Sequence, residues 1–241
     1  MKTSEYIAVN IDRLPKGYVF TYADFITEVN GHEAVIKALN RLAVSGKIIK
    51  LSKGKFYKPE TTVFGNLGPD QGQIVKDLLE ENGKLTGYLT GYSMYNQLGL
   101  TSQVSNTIQI GKNEIRPSFK RERYTIAFIK QKNTITRENI PLLQILDAIR
   151  TIKKIPDTDM VSASRRFIAI LSDLQEKDKT TIIRLAQKYP PATRALLGAL
   201  LDETGNSSLT DPLRKSLNPI TIYRLAAVNQ LLTVAEKWNI K

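Results

Sequence analysis

Side chains suited to binding nucleic acid are concentrated between residues 37 and 58. Lys37, Asn40 and Arg41 are spaced three and four residues apart, which places them on one face of a helix. The amide and guanidinium groups of Asn and Arg form paired hydrogen bonds to base edges in the major groove of DNA. Lysines neutralise backbone phosphates, and five of them follow: Lys47, Lys50, Lys53, Lys55 and Lys58. We predict that these side chains bind double-stranded DNA.

The elements predicted around these residues form a winged helix-turn-helix. They follow in this order: a strand at residues 18–20, a helix capped by Thr21, a second helix at residues 33–45 and a hairpin at residues 48–58. Phe25 and Val29 lie on one apolar stripe of the first helix. Asn30 and Gly31 then predict a turn. In such folds the second helix enters the major groove and the hairpin reaches the DNA backbone.

A second interpretation of the same segment is protein binding. Winged helices also serve as protein-protein modules, and lysines along a strand edge protect that edge against aggregation. The polar face of the second helix favours DNA over this alternative.

The charge of the chain favours an anionic partner. Its 241 residues include 35 Lys and Arg against 23 Asp and Glu, a net charge of +12, and such an excess favours association with nucleic acid.

The absence of cysteine excludes disulfides, thiol nucleophiles and thiolate metal sites. No stretch approaches the roughly 20 apolar residues of a membrane span, and the amino terminus lacks the apolar core of a signal peptide. We therefore expect a cytoplasmic protein with no membrane partner.

The glycine pattern indicates two domains. Residues 61–73 contain three glycines and a proline, a composition that predicts a linker. It would separate a winged helix-turn-helix domain at residues 1–64 from a second domain at residues 73–241. The second domain is predicted to be mixed α/β over residues 73–135 and helical over residues 138–241. The predicted fold class is thus α+β and rich in helices, with a helical bundle at the carboxyl end.

Within the second domain, two segments have the alternating pattern of strands. Residues 104–110 and 124–129 are predicted to pair with each other. From residue 138 onward the apolar period becomes helical, and the last helix is predicted to span residues 220–238.

Residues with catalytic or metal-binding potential do not form a site in the sequence. His32 is the single histidine and has no evident ligand or catalytic partner, so we interpret it as a turn residue or a DNA contact. Asp157 and Asp159 have the spacing of paired metal-binding carboxylates, but they follow Pro156 without an upstream glycine-serine loop, so we assign them to helix capping. No glycine-rich phosphate-binding motif occurs. We predict no catalytic residue, no metal and no cofactor.

Several motifs resemble those of AbiE-type abortive-infection antitoxins. In the amino-terminal part, the resemblance rests on Ala38-Leu39-Asn40-Arg41-Leu42, on Gly46 and on Lys53-Gly54-Lys55-Phe56-Tyr57. In the middle, it rests on Leu89-Thr90-Gly91-Tyr92, on residues 98–104 and on Ile108-Gln109-Ile110. The similar region extends over roughly residues 1–201.

This resemblance implies the antitoxin of a type IV toxin-antitoxin system, which serves abortive infection and phage defence. It implies that the winged helix represses the protein's own operon and that the second domain counteracts a nucleotidyltransferase-type toxin. An alternative remains open from the residues themselves: a stand-alone transcriptional regulator whose carboxy-terminal helices dimerise or bind another protein. A nucleotidyltransferase gene beside this one would favour the antitoxin.

A basic segment between the two predicted strands has two interpretations. Its cations are Lys112, Arg116, Lys120, Arg121 and Arg123. Runs of charge usually form a solvated loop, but they also form surfaces for an acidic protein face or for DNA. The segment is thus either a solvated hairpin loop or a surface for the toxin or DNA.

Overall fold

The chain has a mixed α and β fold, as the sequence predicts. The computed structural model describes residues 3–26, 31–225 and 227–241. The chain divides into two compact units. The first unit contains Met1–Asp77 together with Lys120–Arg123, and the second contains Leu78–Phe119 and Tyr124–Lys241.

The first unit begins with helices packed on a small antiparallel sheet. Its first elements are α1 (Thr3–Arg13), β1 (Val19–Thr21), α2 (Ala23–Ile26), α3 (His32–Val44), β2 (Ile49–Ser52) and β3 (Lys55–Tyr57). The strand order is β1-β3-β2, with Phe20 of β1 opposite Phe56 of β3. The predicted strand, second helix and hairpin agree with β1, α3 and β2–β3. The predicted apolar position Val29 and the predicted start of a turn at Asn30 lie outside the described residues.

The core of this unit explains the amino-terminal helix, which the sequence analysis left unassigned. Ile7 and Ile11, one helical turn apart on α1, are fully buried with Leu39 of α3. The rings of Phe20 and Phe25 meet edge to face at 5.7 Å between centroids. Because α1 supplies part of this core, α3 is supported on one side and leaves its other side to solvent.

The glycine-containing segment after the hairpin is structured. It forms β4 (Glu60–Thr62) and β5 (Gly65–Leu67), a second hairpin, followed by α4 (Gln71–Ile74) and α5 (Lys76–Leu79). The Asp70 carboxylate caps α4 by accepting a hydrogen bond from Gln73 N at 2.8 Å. Gln73 Oε1 in turn accepts one from Val19 N at 3.2 Å. These contacts place the segment in the first unit, so it has local structure in place of the predicted linker.

The second unit contains a four-stranded sheet apart from Lys120 and Arg121, which belong to the first unit. Its strands and one short helix are β6 (Glu80–Glu81), β7 (Lys84–Leu85), β8 (Gly87–Thr90), α6 (Tyr92–Tyr95), β9 (Thr107–Lys112), β10 (Phe119–Arg121) and β11 (Tyr124–Lys130). The strand order is β10-β11-β9-β8, while β6 and β7 pair separately. The predicted pairing of two strands is confirmed by β9 and β11, which run parallel with Ile108 opposite Ile126.

Helices supply most of the core of the second unit. They are α7 (Ile140–Arg150), α8 (Met160–Ser172), α9 (Glu176–Ala186), α10 (Pro191–Glu203), α11 (Asp211–Lys215) and α12 (Val228–Leu231), with short 3-10 turns at Ile152–Lys154 and Glu236–Trp238. The predicted capping role of Asp159 is confirmed, because its carboxylate accepts the Ser162 N hydrogen bond at the start of α8. Gly198 in α10 lies directly against the buried ring of Trp238, so a β-carbon at that position would clash with it.

The predicted last helix over residues 220–238 is wrong. Tyr223 and Leu225 are buried in an extended segment, and Leu225 N donates to Lys241 O at 2.8 Å. Their spacing of two residues is that of a strand, with Arg224 exposed between them. Ala227 then adopts a left-handed conformation with φ of 60°, which a continuous helix does not allow. Residues 223–225 thus pair in extended form with residues 239–241, and α12 and the final 3-10 turn lie between these two segments in the chain.

Within residues 3–26, 31–225 and 227–241, no helix has both the length and the apolar character needed to cross a membrane.

Candidate nucleic-acid interface

The outer face of α3 presents the polar side chains that the sequence predicts. Lys37, Asn40 and Arg41 are exposed, whereas Val35 and Leu39 are fully buried. The apolar positions recur three and four residues apart, so packing of one helix face against the core fixes which side chains face outward. The structure therefore brings the three predicted readout residues together on one accessible surface.

Electrostatic contacts on this face are weak. Lys37 Nζ lies 3.6 Å from Glu33 Oε2, and both side chains are largely exposed. An exposed ion pair at this spacing contributes only about 0.3–0.5 kcal/mol, so Lys37 can exchange this carboxylate for another anion. Asn40 and Arg41 make no side-chain hydrogen bond or ion pair within the described part of the chain.

The tip of the β2–β3 hairpin lies beside the start of α3. Gly54 has φ of +75°, which permits the tight turn after Lys53, and a β-carbon there would lie 3.3 Å from the Tyr22 ring. The same Tyr22 ring meets the His32 ring edge to face at 5.0 Å. Tyr22 thus connects the hairpin tip with the first turn of α3. His32 is the first residue of that helix, so its interpretation as a turn residue is wrong, and its interpretation as a DNA contact stays a prediction.

Two lysines of the hairpin are available to an external anion. The side chains of Lys50 and Lys53 are exposed and make no hydrogen bond or ion pair to any described residue. Both are in the same unit as the outer face of α3.

The other three predicted lysines have partners within the first unit. Lys47 Nζ is 2.8 Å from Asp12 Oδ2, and Lys58 Nζ donates to the carbonyl oxygens of Asp12 and Leu14, both at 2.8 Å. Because unpaired carbonyls at a helix carboxyl end favour a cation, Lys58 stabilises the end of α1. Sequence spacing alone did not reveal these contacts, since they join residues more than 30 positions apart.

Lys55 is held in a small ion-pair network. Its Nζ lies 2.7 Å from Asp77 Oδ2, and Arg121 makes two hydrogen bonds to the same carboxylate, at 2.7 and 3.0 Å. Burial alone would raise the pKa of Asp77, but hydrogen bonds and positive charge from Arg121 and Lys55 hold this pKa below its usual value. Asp77 therefore stays ionised and binds both cations.

The basic segment predicted as a toxin or DNA surface is not one continuous patch. Lys112 is buried at the end of β9, and the Arg116 guanidinium lies 5.6 Å from the centroid of the Phe128 ring. Arg121 binds Asp77 as described above. Lys120, within β10, and Arg123, in the turn that follows it, are exposed. The segment divides between the two units, and only part of it faces solvent.

The sequence analysis missed a buried polar cluster in the second unit. The Asp147 carboxylate accepts hydrogen bonds from Tyr88 OH at 2.7 Å, Thr90 Oγ1 at 2.8 Å and Tyr189 OH at 2.8 Å. Burial raises the pKa of Asp147, and these three donors act in the opposite direction. The signal in the sequence was a single acidic residue among the apolar positions of α7, where a charge is costly to bury unless it is paired.

Metal binding finds no support in the described residues, which contain no group of three or more His, Cys, Asp or Glu side chains placed to hold an ion.

Comparison with known proteins identifies the family. Residues 6–182 match the family DUF6088, a family of unknown function, and because the match covers well over half of the chain, the protein belongs to this family. No curated protein matches the sequence. The fold is similar to the crystal structure of the RV2827C protein from Mycobacterium tuberculosis, with a TM-score of 0.61 and 13% identity over 99% of this chain and 90% of that one. At this identity the similarity concerns the fold alone.

Proposed function

We propose that the first unit is a winged helix-turn-helix that binds the promoter DNA of its own operon as a repressor. The observation that supports this most is the exposed polar face of α3 beside a hairpin that carries unpaired lysines. In this proposal α2 and α3 form the helix pair, with α3 in the major groove, and β2–β3 forms the wing. The net charge of +12 favours the encounter with DNA.

The contacts inside the first unit refine the roles of the basic residues. Asn40 and Arg41 are the proposed base-reading residues, because they are exposed on α3 and have groups that pair with base edges. Lys50 and Lys53 are proposed to bind the phosphate backbone. Lys58, whose ammonium group is already hydrogen-bonded by α1, is proposed to support the fold.

Replacing Asn40 or Arg41 by Ala is expected to weaken binding of the promoter by about 1–3 kcal/mol, or roughly 5- to 150-fold, and to relax sequence discrimination. Replacing Lys53 by Ala should weaken binding to promoter and unrelated DNA alike, because phosphates are the same in both. Mobility-shift titrations with a promoter duplex and a scrambled duplex of equal length measure both effects.

Lys177→Ala is a matched control for this experiment, because Lys177 is an exposed cation on α9 of the second unit. It should leave affinity within about twofold of the wild type. Equal losses on promoter and scrambled DNA for the Asn40 and Arg41 variants would refute their role in base reading. Binding that none of the variants alters would refute the interface.

We further propose that the second unit counteracts a nucleotidyltransferase-type toxin and that the protein acts in the cytoplasm. The support is the resemblance of residues 86–110 to AbiE-type antitoxins, together with a second unit whose hydrophobic core is separate from that of the first. Separate cores allow the two activities to be altered independently.

The full-length chain is expected to restore growth of cells that express a nucleotidyltransferase encoded beside its gene. The double variant Arg41→Ala/Lys53→Ala should restore growth equally well although it no longer represses the promoter, because neither residue belongs to the second unit. Growth and a promoter reporter are measured in the same strain. Failure of the wild type to restore growth would favour the stand-alone regulator, and loss of rescue only in the double variant would show that neutralisation requires DNA binding.

A further inference from the structure

A cleft in the second unit is lined by four cationic side chains. It has a volume of about 580 Å³, and its cations are Lys130, Lys132, Arg150 and Lys188. They come from three places in the chain: the end of β11, the last residue of α7 and the segment after α9. All four are exposed, and no acidic residue is among the described residues that line the cleft. Like charges that line one cleft repel one another, and an anion in the cleft would relieve that repulsion.

The floor of the cleft is polar and rigid. Gln131 and Tyr189 line it and are only 3% and 6% exposed. Gln131 Nε2 donates to the hydroxyls of Tyr88 and Tyr189, both at 2.8 Å, and its Oε1 accepts from Asn133 N at 2.8 Å. Through the Tyr hydroxyls this floor is joined to the Asp147 cluster. A network in which each member has a partner holds its groups in fixed positions. Fixed positions favour ligand binding because less conformational entropy is lost when the ligand binds.

Two features of the backbone add to the positive character of the cleft. Pro190 and Pro191, at the start of the 13-residue helix α10, form part of the lining. Proline has no N–H group, so these two residues offer no hydrogen-bond donor, but the amino end of a helix carries partial positive charge, which attracts anions. The cleft also lies where the parallel strands β9 and β11 end, since Lys130 is the last residue of β11 and is opposite Lys112, the last of β9. Ligands in sheets with parallel strands bind outside the carboxyl ends of the strands.

We propose that this cleft binds a small phosphorylated molecule of nucleotide size through its phosphate groups. The cations and the start of α10 match the charge of a phosphate chain. The volume is within the range of about 300–1,000 Å³ usual for small-molecule sites. This site is separate from the proposed DNA interface, because every cleft residue belongs to the second unit and the interface residues belong to the first.

Calorimetric titration of the full-length protein at low salt tests the proposal, with ATP, tripolyphosphate and adenosine as probes. ATP should bind and adenosine should not. Lys132→Glu is expected to weaken ATP binding at least about tenfold, because it replaces a cation of the cleft with an anion. Lys188→Ala should weaken it less, because it removes one cation without adding an anion. Both side chains are exposed, so the variants should keep the thermal stability of the wild type, which a melting curve verifies.

Lys177→Glu is the control that distinguishes binding in the cleft from nonspecific attraction of ATP to a positively charged protein. It makes the same charge change as Lys132→Glu, but Lys177 is on α9 and does not line the cleft. Its ATP affinity should stay within about twofold of the wild type. If tripolyphosphate binds as tightly as ATP, the site recognises the phosphate chain alone. If ATP binds more tightly, the site also recognises the nucleoside part.

Three results would overturn the proposal. They are the absence of ATP binding, equal losses in Lys132→Glu and Lys177→Glu, and adenosine binding as tight as that of ATP. A loss of promoter affinity in Lys132→Glu as large as its loss of ATP affinity would assign the cleft to nucleic acid instead. Failure of the DNA proposal would appear separately, in the Arg41 and Lys53 variants.

Discussion

Raising the salt concentration from 50 to 200 mM is expected to lower the affinity for promoter DNA about 150-fold. The reason is counterion release: each neutralised phosphate adds about −0.9 to the slope of log affinity against log salt. The cations of the proposed interface are Lys37, Arg41, Lys50 and Lys53, since Lys55 is paired with Asp77. With about four phosphates neutralised, the slope is about −3.6, and a fourfold rise in salt then gives the stated loss. Mobility-shift titrations at four or more salt concentrations measure the slope.

Two variants show which lysines contribute to that slope. The double variant Lys50→Ala/Lys53→Ala should make the slope shallower by about two, because two phosphate contacts are lost. Lys58→Ala should leave the slope unchanged and lower the free energy of unfolding, because the Lys58 ammonium group hydrogen-bonds the Asp12 and Leu14 carbonyls. An affinity that does not change with salt would contradict DNA binding through this basic surface.

Replacing Asp147 by Ala is expected to lower the free energy of unfolding by about 3–5 kcal/mol. Three hydroxyl groups, from Tyr88, Thr90 and Tyr189, donate to this carboxylate, and Asp147 is only 2% exposed. Each buried donor left without an acceptor costs about 1–3 kcal/mol, and loss of side-chain volume from the core of α7 adds to this. Urea unfolding followed by circular dichroism measures the change.

Matched variants separate the hydrogen bonds from the charge and the volume. Asp147→Asn keeps the shape of the side chain and one acceptor oxygen. It should therefore lower the free energy of unfolding less than Asp147→Ala does. Asp173→Ala, at an exposed position after α8, should change stability by no more than about 0.5 kcal/mol. If Asp147→Ala lowers the free energy of unfolding no more than Asp173→Ala does, the cluster does not stabilise the fold.

Local pattern in the sequence determined much of the first unit. The apolar spacing in residues 33–45 indicated α3 and, with it, the outward direction of Lys37, Asn40 and Arg41, because a helix with one buried face has its other positions fixed by the period of 3.6 residues. Gly54 between two β-branched or aromatic segments likewise indicated the hairpin. The capping role of Asp159 could be read from its place before α8, because a cap depends on residues only a few positions away.

Prediction from the sequence failed where the decisive contacts join distant segments. Residues 220–238 contain apolar side chains at both helical and strand spacings, and the pairing of Tyr223 with Ile240 selected the extended form. The glycines of residues 61–73 suggested a linker, but Gln73 and Lys76 contact Val19 and Tyr18 respectively. A local pattern contains no information on such partners, so tertiary packing overrides it.

The candidate sites show the same difference between local pattern and tertiary contacts. The sequence by itself determined the positive charge, the polar face of α3 and the lysine-rich hairpin. Only the tertiary structure decided that Lys47, Lys55 and Lys58 have partners inside the first unit, at Asp12, Leu14 and Asp77. It alone brought together the Asp147 cluster and the four cations of the cleft, which come from separate strands and helices. The energy of a buried charge depends on the groups that surround it in space, and folding alone determines which groups these are.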